Sequence, residues 1–90
     1  MRLDLFLKVS RICPRRTIAQ KLCDAGVVFV NGVSVKSAHS VKVGDEIEVR
    51  KKNKLTRFRV SNVPAKRQTS REEARQLVEL ISEQELDPMP

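Results

Sequence analysis

Asn31-Gly32 stands between two apolar runs, Val27-Val28-Phe29-Val30 and Val33-Ser34-Val35. An Asn-Gly pair so flanked is the strongest short-range hairpin signal, because a type I′ turn needs positive φ at both central residues and these two adopt it cheaply. The first half of the chain is therefore committed to a tight antiparallel hairpin. Directly before it runs RICPRRTIAQKL, helix-like and crowded with arginine. Either those arginines are ordinary solvated surface, or the hairpin holds them toward something negative.

Periodicity supplies the neighbouring elements. In RLDLFLKVSRI, Leu3, Phe6 and Leu7, then Val9 and Ile12, recur mostly at steps of three and four, the pattern of a short helix with one buried face. Pro14 interrupts it. Proline suits a first helical turn, so a second helix is expected from near Pro14 through Ile18, Ala19 and Leu22 to Ala25. Thr17 and Gln20 form a rival capping box that would start it later. Gly26 closes it by taking the left-handed conformation. Further on, Val43-Gly44-Asp45 marks a turn, and Ile47 and Val49 share one face of a strand. Thr56, Phe58 and Val60 then alternate with Leu55, Arg57 and Arg59. These runs predict a second hairpin with a basic loop at residues 51–54.

Residues 64–68 read as a hinge. Ser70 and Glu73 make a capping box, and Ala74, Leu77, Val78 and Ile81 follow at helical spacing, so an acidic helix is expected over residues 70–86. The order helix, helix, small antiparallel sheet, helix defines an α+β chain. Ninety residues form one compact unit with a modest core. Within it, residues 1–63 carry the two helices and both hairpins, and residues 64–90 carry the hinge and the acidic C-terminal helix.

Charge is distributed in blocks. The net charge is +7, which favours polyanionic partners. Residues 1–21 hold six Lys or Arg against the single acid Asp4, and residues 51–67 hold seven and no acid. Residues 22–50 are nearly balanced, and residues 68–90 carry six acids against two arginines. A uniformly basic solubility surface has no such pattern.

Catalytic machinery is not legible. Cys13, Cys23 and the lone His39 fall short of the four ligands a structural zinc takes. With no signal peptide or membrane-spanning run, both cysteines are expected as free thiols in a reducing cytoplasm, and Cys23 as a small core hydrophobe. Asp4 precedes Lys8 by four residues, which reads as an ordinary helical ion pair. Glu46 and Glu48 share a strand face with Arg50, a solvated arrangement. No glycine-rich loop precedes a helix as phosphate-binding enzymes require. Neither an enzyme, a cofactor nor a metal is expected.

The arginines carry more. Arg11, Arg15 and Arg16 crowd the corner between the two helices, joined by Arg2, Lys8 and Lys21. Guanidinium grips phosphate through paired hydrogen bonds and stacks on bases, and a helix N-terminus near Pro14 adds amide donors at the same corner. Lys51, Lys52, Lys54, Arg57 and Arg59 form a second basic patch. Tryptophan and tyrosine are absent, and the three phenylalanines fit core positions, so there is no aromatic platform for single strands. Phosphate and shape recognition of folded RNA fits better than base reading. A DNA-reading helix-turn-helix fits less well, because the second helix keeps its basic groups at its start and offers little beyond Gln20 for base edges.

RLDLFL, the Ser10-Arg11 to Arg15-Arg16 corner, the helix ending at Gly26, V-x-V-N-G and V-x-x-G-D occur in the order found in S4 RNA-binding domains, and residues 1 to about 50 closely resemble that family. The resemblance implies the S4-type (alpha-L) fold, two helices packed on a small twisted sheet, with residues 1–63 as the S4 domain including the second hairpin. It also implies that the helix corner holds structured RNA through Arg2, Arg11, Arg15 and Arg16, with Lys8 and Lys21 at the margin. Pro14 departs from the polar or basic residue usual there. The whole chain resembles the stand-alone RqcP family, relatives of the heat shock protein Hsp15, though its tail is acidic and it lacks the longer basic extension of Hsp15. That likeness implies a monomeric, ribosome-associated cytoplasmic factor. It would bind 23S rRNA and peptidyl-tRNA on the free 50S subunit, beside an NEMF-family factor, during alanine tailing of stalled nascent chains. A general S4-type RNA-binding role in ribosome assembly or regulation is the alternative, and a protein-docking module using residues 70–86 a third. Membrane binding is not expected, because neither helix sets a basic face against a broad apolar one.

Overall fold

The structure, a computed structural model, describes residues 1–65 and 68–85. Two helices, α1 (Leu3–Val9) and α2 (Arg16–Asp24), precede strands β1 (Val28–Val30), β2 (Val33–Ser34), β3 (Glu46–Lys51) and β4 (Lys54–Val60). A one-turn helix, α3 (Arg71–Arg75), and a strand, β5 (Val78–Glu85), complete the order. All strand pairs are antiparallel, in the spatial order β2-β1-β3-β4-β5. The helices cover one face of this sheet. Leu3, Phe6, Leu7, Ala19 and Cys23 from the helices form one buried cluster with Val28, Val30, Ile47, Val49 and Val60 from the strands.

The turn that opened the sequence reading is of the expected kind, with Asn31 at φ 52° and Gly32 at φ 85°. Asn31 also acts at longer range. Its side-chain amide donates to Asp45 Oδ1 (3.1 Å), and its Oδ1 accepts from the Glu46 amide (3.0 Å). Asp45 in turn accepts from the Lys42 amide (2.9 Å), so the Asn-Gly and Gly-Asp turns clasp each other and fix the β1–β3 register. Nothing lies within 4 Å of a side chain added at Gly32, so substitution there strains only the backbone. Gly32→Val should cost about 1–2 kcal/mol and lower the thermal midpoint by roughly 4–15 °C for a domain of this size. A scan followed by circular dichroism checks it, and an unchanged midpoint would mean that the turn does not hold its φ.

Three expectations are corrected. The second helix begins at Arg16, with Arg15 as an extended N-cap (φ −139°), so Pro14 precedes the helix rather than opening it. The Thr17–Gln20 capping box does not form either, because both residues lie inside the helix. The acidic C-terminal helix expected over residues 70–86 stops after one turn. Its capping box is present, with Glu73 N–H donating to Ser70 Oγ, but residues 78–85 form a strand. Val78 and Ile81 fit a period of 3.6, but Val78 and Leu80 fit a period of two. The open edge of β4 settles the competition, offering a ladder from Lys54↔Glu85 to Val60↔Val78 with the ion pairs Arg59–Glu79 and Lys54–Glu83 across it. The register shifts between Arg57 and Phe58, where Ile81 is the extra residue. Of the expected hinge, residues 66 and 67 lie outside the described residues, as do residues 86–90 of the expected tail.

Candidate nucleic-acid interface

The corner between α1 and α2 is organised by a buried carboxylate. Asp4 follows Leu3 and precedes Leu7 by three residues, which turns it inward, and it is fully buried. Its partners are not the expected Lys8. Oδ1 accepts from Arg2 Nε (3.2 Å) and from the Leu5 amide (2.8 Å), while Oδ2 accepts from Arg16 Nε (3.1 Å) and Gln20 Nε2 (2.9 Å). Arg16 and Gln20 stand one turn apart on α2 and reach the same oxygen, so the carboxylate ties the second helix to the first. Burial alone would push the carboxyl pKa up, but the bonds from Gln20, Arg16, Arg2 and the Leu5 amide together outweigh it and hold the pKa below its ordinary value. Asp4 is therefore ionised at neutral pH. It neutralises part of the charge it gathers and orients Arg16 through Nε.

Helix α1 begins without a side-chain cap. Its first amides are taken instead by the loop after β2, Leu3 N–H donating to the His39 carbonyl (2.8 Å) and Asp4 N–H to that of Ser37 (3.2 Å). His39 is thus an exposed loop residue that contributes its backbone. At the other end Arg11 takes the left-handed conformation (φ 62°), a position glycine usually fills, and donates to the Thr69 carbonyl (3.0 Å). Thr69 returns a hydroxyl bond to the Val9 carbonyl. An arginine held in that region stores local strain, as residues at functional sites often do. Arg2, Arg11, Arg15 and Lys21 are exposed, while Lys8 and Arg16 are half-buried. Lys8, Arg11 and Pro14 border a cavity of about 500 Å³ with Gln68 and Thr69.

The second basic patch is divided. Lys51 and Lys52 sit at the exposed tip of the β3–β4 hairpin, where Lys52 has φ 50°. Arg50, Lys51, Lys52 and Lys54 rim a cleft of about 680 Å³ whose other wall is Leu22, Ala25 and Val27. Lys54, Arg57 and Arg59 instead meet carboxylates. Arg57 bonds Glu48 (3.1 Å), Lys54 approaches Glu83 (3.3 Å), and Arg59 lies between Glu46 (3.7 Å) and Glu79 (3.4 Å). Exposed pairs of this kind stabilise by only about 0–1 kcal/mol, so a phosphate can compete for the cations. Glu48 also bonds Arg50, whose guanidinium lies 4.5 Å from the centre of the Phe29 ring. The expectation that all three phenylalanines are core residues holds only for Phe6. Phe29 is half-buried because it lies on the face without helices, whereas Phe58, paired with the core residue Ile47 on the helix side, is half-buried in a groove that Ser10 and Arg11 also line.

Sequence reasoning missed the parts played by Asp4, Gln20 and Thr69. The signal for Asp4 was its place on the apolar face with Leu3 and Leu7, where a lone acid needs partners. Both cysteines are buried and free. Burial, then the neighbouring Asp4, Cys13 and Asp24 charges, push the Cys23 thiol up to about 11, and burial raises Cys13 as well, so neither is a nucleophile at neutral pH. Among the described residues no group of three or more His, Cys, Asp or Glu could hold a metal, and no helix is long and apolar enough to cross a membrane.

Comparison with known proteins agrees with this arrangement. The family model of the S4 domain matches residues 1–47. The chain is 46% identical over 83 residues to the RQC P-site tRNA stabilizing factor of Streptococcus pneumoniae, covering 92% of each chain. It is 42% identical over 86 residues to the Bacillus subtilis protein of the same name, covering 96% of this chain and 98% of that one. Among solved structures, Vibrio cholerae Heat Shock Protein 15, a trimeric structure, superposes with a TM-score of 0.81 at 27% identity over 91% of this chain and 82% of its own.

Proposed function

The chain belongs to the S4-domain family of RQC P-site tRNA stabilizing factors, and from that membership we propose that it works in ribosome-associated quality control, gripping 23S rRNA and peptidyl-tRNA together on the free 50S subunit. The observation that carries this reading is the arginine corner fixed by Asp4. Arg2 and Arg16 are held at a buried carboxylate, and Arg11 and Arg15 flank them at the exposed turn. Such a surface suits the phosphates of folded RNA, since preset guanidinium groups lose little freedom on binding. Lys8 and Lys21 border this surface. Lys51 and Lys52 at the hairpin tip give a second one, with Lys54, Arg57 and Arg59 behind them in exchangeable ion pairs. Two basic surfaces on one small body can bridge two RNAs. In this reading residues 1–63 form the RNA-binding part. One copy, in the cytoplasm and beside an NEMF-family factor, steadies the tRNA while the stalled nascent chain is tailed with alanine. The protein holds the RNA and carries out no chemistry.

Co-sedimentation with 70S, 50S and 30S particles, the 50S with and without peptidyl-tRNA, tests this at fixed salt. Selective retention on 50S carrying peptidyl-tRNA is expected, and the Arg15→Ala, Arg16→Ala double variant should bind about tenfold more weakly, a loss of about 1.4 kcal/mol. Equal binding to every particle, or to none, overturns the proposal. Binding to RNA regardless of peptidyl-tRNA would identify a general S4-type factor instead.

A further inference from the structure

A groove that meets the helix corner only at Arg11 lies between α3, β4 and β5. Its floor is Phe58, Val78 and Leu80, and Arg11, Arg71 and Arg75 stand around it. The volume is about 400 Å³, within the range of small-molecule sites. Leu80 is 57% exposed, one of few large apolar residues so uncovered among the described residues. Among the described residues no carboxylate lines the groove, although the segment that builds it is the acidic part of the chain. Strand alternation turns Glu79 away, and Glu83, on the groove's face beyond the bulge, is paired with Lys54. Phe58 pairs with Leu80 and Val60 with Val78 on the groove side, while Arg59 and Glu79 pair on the opposite face. Arg71 and Arg75 are one helical turn apart, so both guanidinium groups reach the same side of α3.

We propose that this groove, defined by Leu80 on Phe58 beneath Arg11, Arg71 and Arg75, receives one unpaired nucleotide of the bound RNA. The base would lie on the apolar floor and its phosphates on the arginines. This deepens the RNA-binding reading above and rests on it. Three guanidinium groups around an apolar floor match the two halves of a nucleotide, an uncharged flat base and a charged backbone. An acidic peptide would satisfy the rim but leave the aromatic and aliphatic floor without a flat partner. Position favours RNA as well, because Arg11 belongs to the helix corner and to the groove at once, so a strand held at the corner is already beside it. The corner would then recognise phosphate and shape, and the groove would add a preference for a bulge or a loop.

Two RNA hairpins with the same stem, one carrying a single-nucleotide bulge, separate these roles when titrated into isotope-labelled protein and followed by NMR. The bulged hairpin should shift the methyl signals of Val78 and Leu80. The fully paired hairpin should move the amides around Arg15 and Arg16 and leave those methyls in place. Arg71→Gln with Arg75→Gln should weaken binding of the bulged hairpin by about fivefold or more, and of the paired one by distinctly less. Leu80→Ser, which keeps every charge, should abolish the preference for the bulge. Corner amides that move while the groove methyls stay still under the bulged hairpin would overturn the groove and leave the RNA-binding reading standing. If neither set moves, both are overturned. A glutamate-rich peptide that shifts the groove methyls more than RNA does would also overturn the proposal, in favour of a protein partner.

Discussion

Phe6→Ala should come close to unfolding the protein. Phe6 is fully buried and heads the buried side chains by volume, at the centre of the layer where α1 meets the sheet. Truncating such a ring costs about 3–5 kcal/mol, against a total of roughly 5–15 kcal/mol for a typical domain and less for a small one. In urea, where the slope for a small protein is about 1–3 kcal/mol per molar, the unfolding midpoint should fall by about 2 M. Phe29→Ala is the control. That ring lies on the uncovered face under Arg50, so it loses a cation–π contact and part of its burial, about 1 kcal/mol. If the two variants unfold at the same midpoint, the core is not where the helices place it.

This asymmetry also explains what could be read from the chain beforehand. The helix pair, the Asn-Gly hairpin and the Lys51-to-Lys54 hairpin are local structures, each written within about ten residues through periodicity and turn chemistry. Residues 78–85 are different. VELISEQE satisfies a helix and a strand alike, and the deciding partner, the free edge of β4, lies some twenty residues away in sequence. The error had a second consequence. Read as a helix, the acidic segment was a separate appendage. As a strand it sets Glu79 and Glu83 against Arg59 and Lys54, and so changes the charge of a patch that sequence counting left fully basic.

The same limit applied to the corner. Composition located its arginines, because a block of cations with one acid is visible without a fold. It assigned that one acid to Lys8, the local choice, whereas the structure gives it to Arg16 and Gln20, twelve and sixteen residues on. Which residues bear charge was legible, and which of them are held still was not. Specific recognition depends on the second property, since a mobile cation attracts any polyanion while a fixed one favours a particular geometry.

Asp4→Asn puts that distinction to the test, because its two effects on RNA binding have opposite signs. Removing one negative charge raises the net charge above +7, which by electrostatics alone should strengthen binding to any RNA. It also removes the carboxylate that orients Arg2 and Arg16, which should weaken binding to the proper target. If orientation governs, affinity for 50S carrying peptidyl-tRNA falls by about tenfold, equivalent to about 1.4 kcal/mol, while affinity for an unrelated RNA is unchanged or rises. A parallel rise for both would show that Asp4 only dilutes the basic charge. Stability gives an independent reading. The carboxylate is buried but its arginine partners are half exposed to solvent, so the loss should be about 1–3 kcal/mol rather than the larger cost of breaking a fully buried pair. The folded-state pKa of Asp4 is depressed, so its contribution is fully present above the ordinary aspartate value of 3.8 and is lost as the pH falls through the folded value. The gap in thermal midpoint between the wild-type protein and Asp4→Asn should therefore be constant near neutral pH and close in acid below about pH 4. A gap that persists in acid would mean that the neutral side chain packs differently, and that the charge of Asp4 is not what holds the corner.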